Sequence, residues 1–270
     1  MDGPVTILDD LERYYDTVPR AGGARAEDLG SLTLFVQEGA GWPYYARPTP
    51  GAGPVTAAEV DRVRMRQREL GVPEAFEWVA ETTPSLRAAA EAAGLAVHAH
   101  PLMVLAPGAE PLPPHPEVRL MGAGDPLLRA AVTVPALAFA EPGTALGAAG
   151  PAELTAALAD PGTADRTAHV SARLASGASG LAAAVRDGVV LASGVHNPLD
   201  GVAELVGVGT LPAARRQGLA LGVTSALVAD ARERGARLVF LSAGDEDVAR
   251  IYARAGFRRV GTALIAEPAE

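Results

Sequence analysis

The 270-residue chain contains no cysteine. Disulfides and thiol catalysis are therefore excluded. It contains no lysine either: all 23 basic residues are arginine. With so much Ala, Gly and Pro, a GC-rich genome accounts for that preference, but it leaves a chemical consequence. An enzyme that modified lysine amines would have none of its own to modify. No run of about 18 apolar residues is free of charge, so no membrane-spanning helix is expected. The stretch MDGPVTILDDLERYYD is acidic and lacks the basic flank and apolar core of a signal peptide. The expectation is a soluble, cytoplasmic protein with no membrane partner. Net charge is −9, without a basic tail or stripe, which argues against nucleic acid as a partner.

What is present suffices for a folded core. Hydrophobic residues make up 49% of the chain and charged residues 20%, which excludes global disorder. The clearest boundary is APGAEPLPPHPE, Ala106 to Glu117, a Pro-rich extended linker. It divides the chain into domains at 1–106 and 118–270, with 107–117 between them.

The first half predicts a helix near Ile7–Thr17, a strand at Leu32–Glu38 and an aromatic turn GWPYYARP. Thr56 followed by Glu59 is a capping box that opens a helix, and Gly71 stops it. FEWVA, TTPSLRAAAEAAG and LAVHAHPLMVLA read as strand, helix and strand. The second half opens with a strand at Val118–Met121, then helical material in which Pro135 is an interruption. Asp187-Gly188 marks a hairpin turn. VAELVGVGTL is a strand, GLALGVTSALVADARERG a helix, ARLVFLSAG a strand, DEDVARIYARAG a helix and FRRVGTALIAE a strand. The order implies a mixed α/β fold. A weak repeat relates SLRAAAEAAGLAVHAHPLMVL to DVARIYARAGFRRVGTALIAE, as in two copies of one unit.

The informative segment is ELVGVGTLPAARRQGLALG, where a strand passes through a basic, Gly-containing loop into a helix. A helix start offers unpaired N–H groups and the positive end of the helix dipole, and anions bind there. Gly218 lets a ligand approach the backbone, and Arg215 and Arg216 add charge. The loop lacks the Gly-Lys-Ser/Thr ending of a Walker A motif and the third Gly of a dinucleotide fingerprint. A phosphate, or more readily a pyrophosphate, fits.

With RRQGLA between a strand and a helix, and DVARIYARAGF following, the sequence resembles the GNAT superfamily of GCN5-related N-acetyltransferases. The resemblance covers roughly Val118–Ala266 and is strongest over Ala203–Phe257. It implies a mixed, mostly antiparallel sheet flanked by helices, and two GNAT-like units in tandem, the first degenerate and without cofactor. It implies acetyl-CoA as co-substrate, held by Arg215, Arg216, Gln217, Gly218, Leu219 and Ala220, with Val208, Gly209 and Thr210 on the preceding strand meeting the pantetheine arm. The family often has Asn where this chain has Asp245, so that contact differs here. Glu204, eleven residues before Arg215, corresponds to the general base, and strand alternation would put it on one face with Val206 and Val208. Tyr252 corresponds to the acid that protonates the leaving thiolate. The acceptor would be a small-molecule or protein amine attacking directly in a ternary complex. A homodimer is among the open assembly states. The alternative is a non-catalytic acyl-CoA sensor or interaction module.

Other residues carry weaker expectations. His196, in GVHNPLDG, reads as a solvated loop histidine. His98 and His100 share a strand face without a third ligand, so no metal is expected. Trp42, Tyr44 and Tyr45 would line a substrate pocket or pack a small aromatic core.

Overall fold

The computed structural model describes residues 6–269 except 40, 42 and 111. Trp42 therefore lies outside the described residues. Contacts divide the chain into two compact units, Met1–Leu102 with Val260–Glu270, and Met103–Arg259. The Pro-rich segment Ala106–Glu117 belongs to the second unit, and the last ten or so residues belong to the first.

In the first unit, helix α1 (Ile7–Ala21) precedes strands β1 (Arg25–Asp28), β2 (Leu32–Val36) and β3 (Ala46–Pro48). Helix α2 (Ala57–Leu70), strand β4 (Phe76–Val79), helix α3 (Ser85–Ala92) and strand β5 (Leu95–Leu105) follow. β1 and β3 are not evident from the sequence; Ala46-Arg47-Pro48, which reads as part of an aromatic turn, forms a strand. β1, β2 and β3 pair antiparallel, whereas β3 and β4 pair parallel. A parallel pair needs a crossover, and α2 supplies it. The core gathers Leu32, Leu34, Phe76, Trp78 and Leu86 around residues from both ends of the unit, Leu264 and Ala266 included.

In the second unit, strand β6 (Val118–Met121) leads to helices α4 (Leu128–Ala140), α5 (Pro151–Ala157) and α6 (Gly162–Ala175). Strands β7 (Gly180–Arg186), β8 (Val189–Leu199) and β9 (Val202–Thr210) form an antiparallel meander with β6. Helix α7 (Leu219–Glu233) crosses over to strand β10 (Leu238–Ser242), which pairs parallel with β9. Helix α8 (Glu246–Arg254) and strand β11 (Phe257–Pro268) complete the chain. β11 begins in the second unit, and from Val260 onward it belongs to the first, where Ala263–Ala266 pair antiparallel with β4. β5 does the converse: its end residues Met103 and Leu105 pack in the second core.

Both units thus repeat strand, crossover helix, strand, helix, strand, and the sheets are mixed but mostly antiparallel, as expected. The weak sequence repeat corresponds to α3–β5 and α8–β11.

Pro135 does not break α4. Its missing N–H leaves the carbonyl of Ala131 without its helical partner. The Ser193 hydroxyl, on β8, donates to that carbonyl at 2.6 Å. The helix therefore continues to Ala140 and packs directly on β9. A side chain at Gly209 would come within 2.9 Å of Ala138 Cβ and 3.1 Å of Pro135 Cα.

Candidate acyl-CoA site

β9 is hydrogen-bonded on one edge along its length and on the other only at its start. It pairs with β8 from Val202 to Thr210, but with β10 only where Leu238, Val239 and Phe240 meet Val202, Ala203 and Glu204. Past Glu204 the two parallel strands part. This leaves one edge of Leu205–Thr210 with backbone groups that a ligand can pair with.

The β8–β9 ladder also shifts register. Ser193 faces Gly209 while Val195 faces Val206, so β9 carries one extra residue between them. Gly207 takes φ +62° there, a left-handed conformation that glycine adopts without a Cβ penalty. The bulge corrects an expectation from strand alternation. Glu204 and Val206 share the α4 face with Asn197 and Val195, their partners on β8. Val208 lies on the other face. A Cβ on Gly194 would come within 2.8 Å of Val208 Cγ2 and 3.1 Å of Leu227 Cδ1, which belongs to α7. Thr210 is opposite Ala192 on that same face, buried, and its hydroxyl has no partner among the described residues.

After β9, Pro212–Ala214 form a single tight turn, and the chain enters α7 through Arg215–Gly218. Arg216 has φ +64° and Gly218 has φ +79°. Such a conformation is uncommon for a residue with a side chain, and strain of this kind concentrates at functional loops. Among the described residues, no hydrogen-bond acceptor is found for the backbone N–H groups of Arg216 to Leu221. Arg216, Gln217 and Gly218 are exposed, and Arg216 has no ion-pair partner among the described residues. Space around Gly218 is open. Leu219 is buried in the core and Ala220 half-buried, which fixes the first turn of the helix. A pyrophosphate fits this cradle: consecutive amides, a helix dipole and a cation converge on open space.

Arg215 is used differently from Arg216. Its guanidinium donates to the carbonyls of Ala138 at 2.9 Å, Ala145 at 3.1 Å and Glu141. It therefore points at the end of α4 and the loop beyond it.

The first unit shows what closes such a site. Its crossover helix α2 starts with Thr56, whose hydroxyl accepts from Glu59 N while the Glu59 carboxylate accepts from Thr56 N at 2.9 Å. Hydrogen bonds to the carboxylate from the Thr56 hydroxyl, the Thr56 N–H and the Ser31 N–H hold Glu59 at a pKa of about 2. The helix start already carries its own anion, whereas Gly218 has no side chain to offer α7.

Of the remaining expected residues, Glu204 is half-buried on β9, opposite Asn197. Asn197 Oδ1 accepts from Ser179 Oγ at 2.7 Å and Arg173 Nη2 at 3.1 Å. Glu204 and Thr210 are six residues apart, roughly 20 Å along a strand. Tyr252 is 8% exposed on α8 and meets Phe257 edge to face, with ring centroids 6.0 Å apart. Burial pushes its phenol well above the ordinary tyrosine range. Asp245 caps α8, accepting from Val248 N at 2.8 Å.

His196 is a correction. It is not in a loop but in β8, fully buried, with Nε2 2.6 Å from Asp230 Oδ2. His98 and His100 are on β5, and no group of three or more acidic, His or Cys side chains among the described residues could hold a metal. Tyr44 and Tyr45 belong to the first unit, the Tyr44 hydroxyl resting over Gly22 at the end of α1. A cavity of about 450 Å³ lies at the other end of β9, against Asp200–Val202 and Arg234. It is remote from the amide cradle, and Arg234 is already engaged there by Asp230 at 3.0 Å and by the carbonyls of Gly177 and Ser179. No helix among the described residues is long and apolar enough to cross a membrane.

Comparison with known proteins bears on this geometry. Residues 153–257 match the model of the "Acetyltransferase (GNAT) family". Among curated proteins, none matches the chain in sequence. A GCN5-related N-acetyltransferase from Kribbella flavida is similar in structure, with a TM-score of 0.70, 23% identity, and coverage of 98% of this chain and 96% of that one. Another, from Sphaerobacter thermophilus, gives 0.54 at 16% identity, covering 100% and 89%. A tandem GNAT protein from the clavulanic acid biosynthesis pathway gives 0.51 at 17% identity, covering 90% and 80%. The parted strands and the amide cradle both fall within the matched segment, so residues 153–257 carry the likeness to the acetyltransferase (GNAT) family.

Proposed function

We propose that the protein transfers an acetyl group from acetyl-CoA to a primary amine, and that the second unit carries the reaction. The observation that supports this most directly is the run of unpartnered amides from Arg216 to Leu221 beside a strand that has left its neighbour. Arg216 and these amides hold the pyrophosphate. The open edge of β9, with Val208, Gly209 and Thr210, receives the pantetheine arm.

Acetyl-CoA supplies the acyl group. Glu204 takes the proton that an ammonium acceptor must lose before its nitrogen can attack, and the new C–N bond replaces the C–S bond. Tyr252 gives a proton to the departing sulfur. The phenol is protonated at neutral pH, so it has a proton to give, although burial makes it a weaker acid than an exposed tyrosine. No cysteine nucleophile is needed, and the chain has none.

Calorimetric titration with acetyl-CoA tests the reading. Wild type should bind in the micromolar range, and Gly218→Glu, which sets a carboxylate in the amide cradle, should abolish binding. A well-folded wild type that does not bind would overturn the proposal. Binding without turnover across a panel of amines would leave the acyl-CoA sensor.

A further inference from the structure

Arg215 lies in the loop motif, yet its side chain is spent elsewhere. Its three acceptors, the carbonyls of Ala138, Glu141 and Ala145, belong to the last turn of α4 and the loop after it. A cation there also suits the negative end of the α4 dipole. The same loop is tied down further. The Glu141 carboxylate accepts from the N–H groups of Ala148 at 3.1 Å and Ala149 at 2.9 Å. Gly147 N donates to the Pro212 carbonyl at 3.1 Å, and Ala213 N donates to the Ala149 carbonyl at 2.9 Å. The approach is close enough that a Cβ on Gly147 would be 2.7 Å from Pro212 Cβ. Residues 138–149 thus lie flat against Pro212–Arg215, the root of the amide cradle.

What this lacing holds is an outward surface. Phe139 is 60% exposed and Leu146 63%, more than any other large apolar side chain among the described residues. The surface adjoins β9 through Ala138 and Gly209 and lies on the α4 side, the side of Glu204.

We propose that Arg215 is a positioning residue, a clamp that couples occupancy of the acyl-CoA loop to the order of the acceptor-side segment 139–149. This rests on the acetyl-CoA reading above. Arg215 and Arg216, adjacent in sequence, then divide two tasks: Arg216 meets the phosphates, and Arg215 transmits their arrival to the wall of the acceptor site. One guanidinium can serve three carbonyls because its donors form a rigid fork, a geometry that a lysine ammonium does not reproduce.

The test joins acetyl-CoA titration to amide hydrogen exchange, on the full chain. In wild type, saturating acetyl-CoA should slow exchange at Ala148 and Ala149, although neither lies in the cradle. In Arg215→Ala these amides should exchange faster, and acetyl-CoA should no longer slow them. Its Kd should stay within about threefold of wild type, a coupling weaker than the usual factor of about five or more. Arg216→Ala should do the reverse, weakening acetyl-CoA while leaving exchange at 148–149 as in wild type. If Arg215→Ala does not fold, Arg215→Lys decides. A clamp predicts loss of the cofactor-linked slowing despite the retained charge, whereas a phosphate ligand predicts near wild-type behaviour. The clamp is overturned if Arg215→Ala weakens acetyl-CoA by about tenfold or more, as removal of a charge-assisted phosphate contact would, or if the slowing survives in that variant. A wild type that fails to bind acetyl-CoA would instead sink the functional reading. A wild type that binds, with Arg215→Ala indistinguishable from it, would sink the clamp alone.

Discussion

His196 Nε2 and Asp230 Oδ2 are 2.6 Å apart inside the second core, joining β8 to α7. Arg234 Nε is 3.0 Å from the same carboxylate oxygen. Burial lowers the His196 pKa from its ordinary 6.5; the Asp230 carboxylate opposes that shift and Arg234 assists it. The native state therefore prefers neutral histidine, while the unfolded chain protonates near the ordinary value. Stability from this site is full above pH 6.5 and is lost as pH falls through the lower folded pKa. Urea unfolding midpoints followed from about pH 8 to about pH 5 should decline on the acid side. His196→Gln should flatten that limb. A limb of unchanged slope would rule this histidine out as its source. Glu27 and Glu59, both held at about 2, contribute stability that is lost only below pH 4.5.

The same pair imposes a demand on Gly180. A Cβ there would be 2.2 Å from His196 Nε2 and 2.3 Å from Asp230 Oδ2. Both groups are fixed by their mutual bond, so Gly180→Ala should destabilise by about 1–3 kcal/mol, as overpacking does. A thermal midpoint equal to wild type would show that the pair can move.

The first unit holds a buried ion pair, Arg47 with Glu77, whose side chains are 9% and 11% exposed. The Arg47 guanidinium also stacks 3.8 Å above the Tyr15 ring. Arg47→Met leaves Glu77 without its cation in the core and should cost about 3–5 kcal/mol. Adding Glu77→Leu should recover most of that, since a buried pair contributes little over an apolar one. Chemical denaturation of the single and double variants decides. A double variant no more stable than the single would show that the pair itself is favourable.

Tyr252→Phe separates binding from proton transfer. Acetyl-CoA affinity should hold, because the ring still packs on Phe257. Turnover with an amine acceptor should fall by roughly a hundredfold, the lower range for loss of a general acid. Unchanged turnover would return Tyr252 to a packing role.

The sequence reveals the amide cradle because every part of it is local: a strand, a turn proline, a glycine with no side chain, a helix. The capped start of α2 is legible for the same reason, since Thr56 and Glu59 are three residues apart. What escaped depended on distance or register. His196 meets a partner 34 residues away, and its environment follows from β8 running past Pro198 to Leu199. The bulge at Gly207 turns Val208 to the opposite face, and no alternation pattern can announce an extra residue. Arg215 matches a motif and still points the other way, because its acceptors lie 70 or more residues earlier. Pro135 reads as an interruption of the helix, and the Ser193 hydroxyl, brought by another strand, makes it tolerable.

The return of β11 to the first unit has a consequence for synthesis. Leu264 and Ala266 complete a core otherwise built from residues up to Val97. A ribosome must therefore make all of residues 103–259 before the first unit receives its last strand. Until then β4 lacks the partner that β11 provides, and an exposed strand edge is a template for unwanted pairing. Of the two units, the one made first is thus completed last, and a nascent chain leaves that edge of β4 open until β11 has been made.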